Sequence, residues 1–353
     1  MKRHLYLLVS VLLICNLLGA QNAPVTKISS LYGCTPGSIT VPVTVYNYSG
    51  IGAFALDLQY DPSVLTFVSC TKNPSLIGSF MSGASPLPGG LYHVVISWFG
   101  SSSTLSNGST LLNIDFTFIG GTTDLNWNDD GGSCEYANAS YFPLVDTPTG
   151  CFYYGGTVTS SRLLNLSLYL EGLYDPASGL MNSALGLPID PCSEQVADYV
   201  TVELHNSSDF DLVEYSITGR GLDVNGHVNA LVPAGLNGSY YVAVKHRNSI
   251  ETVSSLPVSL AAAISEYNFT NSASRAYGNN MVQVADGYWA LFTGDTNQDG
   301  IVDSGDMIMV DNDVSGFVTG YVASDCNGDN LVDSSDMILV DNNAAAFITA
   351  IYP

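Results

Sequence analysis

Positive charge is what this chain has least of. Nine Lys and Arg residues stand against 32 Asp and Glu in 353 residues, a formal net charge of −23. Charged residues make up only 12% of the chain, so cations are scarce rather than acids abundant. A surface of that sign repels phosphate backbones and anionic bilayers, which excludes nucleic acid as a partner. Long apolar runs are also scarce. After Leu5–Leu18 no stretch is long enough to cross a bilayer, so no span is expected in the mature chain. The chain lacks HExxH, GxSxG and P-loop patterns, and His93, His205, His227 and His246 are scattered. Without a partner motif such histidines read as structural, and no enzyme is expected. No CxxC spacing occurs, which argues against a zinc site.

What is there begins with a basic start, Lys2-Arg3, followed by the apolar run and by Gly19-Ala20 before Gln21. That layout is a secretory signal over residues 1–20, so the mature protein is expected outside the cell or on its surface. Cleavage removes Cys15 and leaves Cys34, Cys70, Cys134, Cys151, Cys192 and Cys326. An even number in an exported chain permits disulfides. Cys134 and Cys151 bracket one loop and are the expected pair, with Cys34–Cys70 as a second. Cys192 and Cys326 lie in different segments and are expected to be free.

The body of the chain is mainly β by pattern. Val41, Val43 and Val45 alternate with polar residues, as do Leu56, Leu58 and Tyr60, because strand side chains repeat every two residues. Gly, Asn, Ser and Pro clusters separate such runs, which predicts an antiparallel sandwich. Residues 162–290 alternate again at Leu164–Leu170, Val200–Leu204 and Tyr240–His246 and predict a second antiparallel sandwich.

Two copies of one aspartate pattern close the chain. Asp295, Asn297, Asp299, Asp303 and Asp306 recur thirty residues later as Asp325, Asn327, Asp329, Asp333 and Asp336. Oxygen side chains thus fall at loop positions 1, 3, 5, 9 and 12, the spacing of an EF-hand-type calcium loop. Ile301 and Leu331, at position 7, would each offer a backbone carbonyl and turn their side chains into the core. Gly300 gives the sharp turn at position 6, and Asn330, which tolerates the left-handed region, replaces it in the second loop. Like charges crowded this closely repel, and a hard divalent ion removes the cost. Oxygen-only donors select calcium, so two Ca2+ ions are expected. Each loop leads into an apolar segment at the same offset, Met307–Asn312 and Met337–Asn342, read as a short helix.

The order of features over residues 25–160 resembles the cohesin family. The segments that carry the likeness are Val41–Asn47, Gly52–Leu65 with its Tyr60-Asp61-Pro62 turn, His93–Phe99, Gly108–Phe116 and Gly155–Val158. The resemblance implies a jelly-roll β-sandwich that docks a protein partner. Cohesins share that fold with cellulose-binding modules, which keeps a carbohydrate reading open. The C-terminal repeat resembles a dockerin, whose duplicated loop–helix units bind calcium and pack together. Positions 10 and 11 here read Ser304-Gly305 and Ser334-Ser335, and no Lys or Arg follows Arg275, unlike the better-known dockerins.

The expected organisation is a signal peptide (1–20), a cohesin-like sandwich (24–160), a second β-sandwich (162–290) and a dockerin-like calcium module (291–353). The expected role is a non-catalytic scaffold joined to other proteins by cohesin–dockerin docking. The alternative is a carbohydrate-binding protein of polysaccharide breakdown in which the calcium module is structural. For that reading Trp127, in the polar stretch Asp124–Asp130, is the candidate sugar platform, whereas Trp98 is expected in the core.

Overall fold

The computed structural model describes residues 21–186, 192 and 195–353. The expected signal segment, residues 1–20 with Cys15, lies outside the described residues. The chain divides into two compact units, residues 1–159 and 160–353.

The strands of the first unit are β1 (Val25–Ile28), β2 (Gly37–Tyr46), β3 (Ile51–Tyr60), β4 (Leu65–Lys72), β5 (Gly78–Pro86), β6 (Tyr92–Ser103), β7 (Ser109–Phe118), β8 (Thr122–Trp127), β9 (Glu135–Asn138), β10 (Tyr153–Tyr154) and β11 (Gly156–Thr159). They form two sheets, ordered β10-β1-β2-β7-β4 and β11-β8-β3-β6-β5, with β9 paired to β3. The two-residue period decides which side chains meet between the sheets. Val41, Val43 and Val45 of β2, Phe54, Leu56 and Leu58 of β3, and Val94, Ile96 and Trp98 of β6 are all buried in one core. The turn after β3 is held by Asp61, whose carboxylate accepts from the Ser63 N–H at 2.8 Å. Its carbonyl takes the Val64 and Leu65 N–H groups at 3.1 and 3.0 Å.

The second unit contains β12 (Arg162–Ser167), β13 (Tyr174–Asp175), β14 (Leu180–Met181), β15 (Val196–Asn206), β16 (Val213–Asp223), β17 (His227–Val232), β18 (Ser239–His246), β19 (Ser249–Val253), β20 (Val258–Ser259), β21 (Ile264–Asn268), β22 (Val282–Ala285) and β23 (Tyr288–Ala290). Its main sheet runs β19-β18-β15-β16-β17-β12-β21, with β20 on β18; only the β12–β21 pairing is parallel. Leu164, Leu166, Leu168 and Leu170 line its core with Val200, Val202, Leu204, Val242 and Val244. Two helices follow, α1 (Ser304–Ser315) and α2 (Ser334–Ala345), each starting inside an aspartate pattern. Val302, Val310, Cys326, Val332 and Val340 form their small core, and Ile250 of β19 completes it. The helix pair therefore packs on the sheet of its own unit.

The cysteines depart from expectation. Cys34, Cys70 and Cys134 are free thiols, as is Cys326, so neither Cys134–Cys151 nor Cys34–Cys70 forms. Cys151 and Cys192 are each disulfide-bonded, which also corrects the reading of Cys192 as free. Bracketing one loop does not aim two sulfurs at each other. Cys134 turns into the core, where its Sγ sits 3.4 Å from the Asp57 N–H. Cys70 faces inward from β4 among apolar side chains.

Candidate metal centre and docking face

Both aspartate loops fold the same way, and local hydrogen bonds explain it. Position 12 lies one turn into each helix but points back into the loop. Asp306 Oδ1 accepts the N–H groups of Thr296 (2.8 Å) and Asn297 (3.0 Å), and its Oδ2 accepts that of Asp303 (2.9 Å). Asp336 repeats this with Cys326 (2.7 Å), Asn327 (3.1 Å) and Asp333 (2.9 Å). Asp303 and Asp333 are the helix N-caps, each closing a capping box with the position-12 aspartate. At position 1, Asp295 accepts from the N–H of Asp299 (3.1 Å) and Gly300 (3.2 Å), and Asp325 from those of Gly328 (2.9 Å) and Asn330 (3.1 Å). Position 6 is left-handed in both loops, Gly300 at φ 85° and Asn330 at φ 67°.

The loops are also tied crosswise. Ile301 of the first loop bridges Thr349 beyond α2, and Leu331 of the second bridges Thr319 beyond α1. The bonds run through the flanking residues, Val302 N–H to Ile348 O (2.9 Å) and Ala350 N–H to Gly300 O (2.8 Å). The carbonyls of Ile301 and Leu331 stand outside these bonds. Their side chains do not enter the core as expected: Ile301 is 47% and Leu331 43% exposed, while Val302 and Val332 are 1% and 2%. Extended backbone alternates its faces, so the next residue takes the inward place.

Asp295, Asp306, Asp325 and Asp336 are all buried. Burial, reinforced by the charge of Asp306, pushes Asp295 up to about 6. Burial likewise raises Asp325 and Asp336, against the N–H bonds that lower them. Carboxylates gathered under cover are costly as anions, and a hard cation among them would lift that cost. Positions 1 and 12 of each loop are thus buried carboxylates, and their hard oxygen donors fit a cation of the calcium class.

The rest of the second unit grips the second loop. Arg247 donates to the carbonyls of Val322 and Asp325, the latter at 2.8 Å, and Asn248 Nδ2 also reaches Asp325 O at 3.0 Å. Arg247 is held in turn by Asp198 (3.0 Å), which is fully buried and also meets His246 Nε2 (3.0 Å) and the Tyr321 hydroxyl (2.5 Å). Burial acts to raise Asp198. The bonds from His246 and Tyr321 and the charge of Arg247 outweigh it and hold the carboxyl well below the usual range. Asn343 of α2 donates to Glu171 (2.7 Å) and to the Thr293 carbonyl (2.8 Å). None of these partners was visible in the sequence, because they lie far from the loop along the chain.

Away from the sheet the helix pair shows a duplicated apolar surface. Ile308 and Ile338 are 60% and 59% exposed, and Phe317 and Phe347 are both 85% exposed. Each Phe follows its helix at positive φ, 52° and 55°, a conformation that disfavours a bulky side chain.

In the first unit the outer face of β3, β6 and β5 is also partly apolar. Register puts Ala53, Phe99 and Ser79 in one row, Ala55, Ser97 and Met81 in the next, then Asp57, Val95 and Gly83, and finally Gln59, His93 and Ser85. Phe99, Val95 and Met81 are exposed. Residues 24–138 match the family model of the cohesin domain. Several solved cohesins resemble the chain. The sixth cohesin of scaffoldin B from Acetivibrio cellulolyticus, solved in complex with a mutant Cel5 dockerin, is 17% identical, covers 39% of this chain and 99% of its own, and has a TM-score of 0.29. The cohesin CaCohA2 from Clostridium acetobutylicum is 21% identical over 39% of this chain and 92% of its own, with a TM-score of 0.32. A non-cellulosomal cohesin from Archaeoglobus fulgidus is 18% identical over 38% and 89%, with a TM-score of 0.29. No curated protein matches the chain. No described helix is long and apolar enough to cross a membrane.

The polar end of the cohesin-domain face holds a cluster that sequence reading missed. His93 Nδ1 lies 2.8 Å from Asp57, and its Nε2 lies 2.8 Å from Ser85 Oγ. Asn128 donates to the same Asp57 at 3.1 Å. A Ser–His–Asp order invites comparison with a nucleophile, but acyl transfer also needs N–H groups aimed at an oxyanion. Ser85 lies on β5, whose N–H groups run in the plane of the sheet. The cluster cross-links β3, β6 and β5 and fixes the polar edge of the face. Trp127, the candidate sugar platform, ends β8, packs against the core and donates its indole N–H to Tyr154 O at 3.1 Å. Trp98 is in the core.

Proposed function

We propose that this chain is an exported, non-catalytic assembly protein with three modules. In this reading the cohesin domain docks a protein partner on the outer face of β3, β6 and β5. The main sheet of the second unit carries a dockerin-like helix pair, which binds two calcium ions and docks a second partner. The observation that carries the proposal is the repetition of one loop geometry: each position-12 aspartate gathers three backbone N–H groups, and each position-7 residue bridges the segment just beyond the opposite helix. A solvated acidic turn has no need of buried carboxylates in matched places. The match of residues 24–138 to the cohesin-domain model supports docking at the other end. Partner choice at the helix pair rests on Ile308, Ile338, Phe317 and Phe347 rather than on basic residues, which the module lacks.

The test is capture of secreted proteins on the immobilised full chain, with calcium and with chelator. Docking through the helix pair predicts a bound protein that is lost with chelator and lost with an Asp306→Asn/Asp336→Asn double variant. Capture indifferent to both would remove the calcium-dependent part of the proposal.

A further inference from the structure

A second kind of metal chemistry is gathered on the outer face of β15, β18 and β19. Glu203 and His205 are two residues apart on β15 and share that face. Ala243 of β18 is the cross-strand partner of both Glu203 and Val253, so only a methyl group stands between the neighbouring strands there. Glu251 enters from β19. One ligand atom from each of Glu203, His205 and Glu251 lies within 4.8 Å of the others. His205 and Glu251 edge a cleft of about 260 Å³ that Phe210, Asp211, Lys245 and Tyr352 also line.

His205 is only 5% exposed, and its orientation is fixed twice. Phe210 stacks on the imidazole with ring centres 4.2 Å apart and planes 7° from parallel. The Nδ1 atom lies 2.7 Å from the Phe210 carbonyl, which can only accept, so Nδ1 carries the proton. A histidine anchored through one N–H to a carbonyl presents its other nitrogen as a metal-ready lone pair. Here that nitrogen, Nε2, faces Glu203 Oε2 at 3.3 Å. In the neutral ring these are two acceptors in contact, and a positive charge must come between them or onto the ring. Lys245 satisfies the carboxylates, at 2.7 Å from Glu203 and 3.8 Å from Glu251. Its side chain is 40% exposed and can swing into solvent.

We propose that Glu203, His205 and Glu251 bind a zinc-class divalent ion, with Lys245 as a built-in competitor that the ion displaces. One imidazole nitrogen and two carboxylates are a zinc donor set with a position left for water, whereas the all-oxygen loops suit calcium. The absence of CxxC spacing hid this site, because its ligands are not thiolates and Glu251 lies far along the chain from Glu203 and His205.

Zinc ions are titrated calorimetrically into the full chain with excess calcium present to occupy the aspartate loops. The expected result is one zinc per chain. His205→Gln keeps a donor for the Phe210 carbonyl and should weaken binding by about tenfold or more. Lys245→Met should strengthen it by a similar factor, an effect no incidental surface histidine would show. Circular dichroism checks that each variant is folded, and Glu251→Gln replaces any that is not. Zinc binding unchanged in His205→Gln, or not tightened in Lys245→Met, would overturn the proposal.

Discussion

Each position-12 aspartate accepts three backbone N–H bonds while shielded from water, so its charge serves two ends. It organises the loop without an ion, and in the proposed calcium site it would also serve as a ligand. Asp306→Asn keeps the shape but removes the charge and turns an amide against N–H donors. Losing such charge-assisted bonds costs roughly 1.5–3 kcal/mol, and calcium at the first loop should go with it. Calorimetry of the variant should find one ion where the parent has two. Asp295 gives a pH signature. Its carboxyl titrates near 6 in the ion-free fold, above the ordinary value of 3.8, so the ion-free fold binds the proton more tightly than the unfolded chain. The stability this lends is complete below the unfolded value and is lost as pH rises through about 6. Thermal melts in chelator should therefore fall from pH 4 to 7, and calcium affinity should weaken below about pH 6. A chelator melt that rises steadily over that window would contradict the burial argument.

At the scale of elements, the helix pair is held by the strands it sits on. Gly172 shows how closely: a Cβ there would lie 2.0 Å from the Cys326 carbonyl. Gly172→Ala should force the second loop away from the sheet and destabilise the unit by more than 1 kcal/mol, since backbone cannot yield cheaply. Arg247→Met leaves the buried Asp198 with His246, Tyr321 and the Tyr199 N–H but without its guanidinium, and breaking such a pair costs about 3–5 kcal/mol. Urea unfolding of both variants, with and without calcium, checks these losses. The same elements show what the sequence could tell. The shared shape of the aspartate loops was legible because their oxygen side chains lie within twelve consecutive positions and occur twice. The strands of the first unit were legible because alternation and the Asp61 turn are local. Arg247, Gly172 and the Asp57–His93–Ser85 cluster were not, because pairing across strands joins residues far apart in the chain. The free Cys134 was misread for a related reason: sequence separation says nothing about the direction of a sulfur.

At the scale of the molecule, the −23 charge and the two aspartate loops belong together. A chain this acidic gains from cations that neutralise its most crowded carboxylates, and an ion bound only by the folded state stabilises it by mass action. At calcium about 100 times the dissociation constant, each independent site adds about 2.7 kcal/mol. Because the helix pair shares a core with Ile250 of the sheet, that gain should reach the whole of residues 160–353. The most direct test of the calcium-organised account is a calorimetric calcium titration of the full chain, paired with a melting curve at each endpoint. The account predicts two ions per chain and a higher melting temperature with calcium than with chelator. No binding at millimolar calcium, or identical melts with and without it, would contradict it.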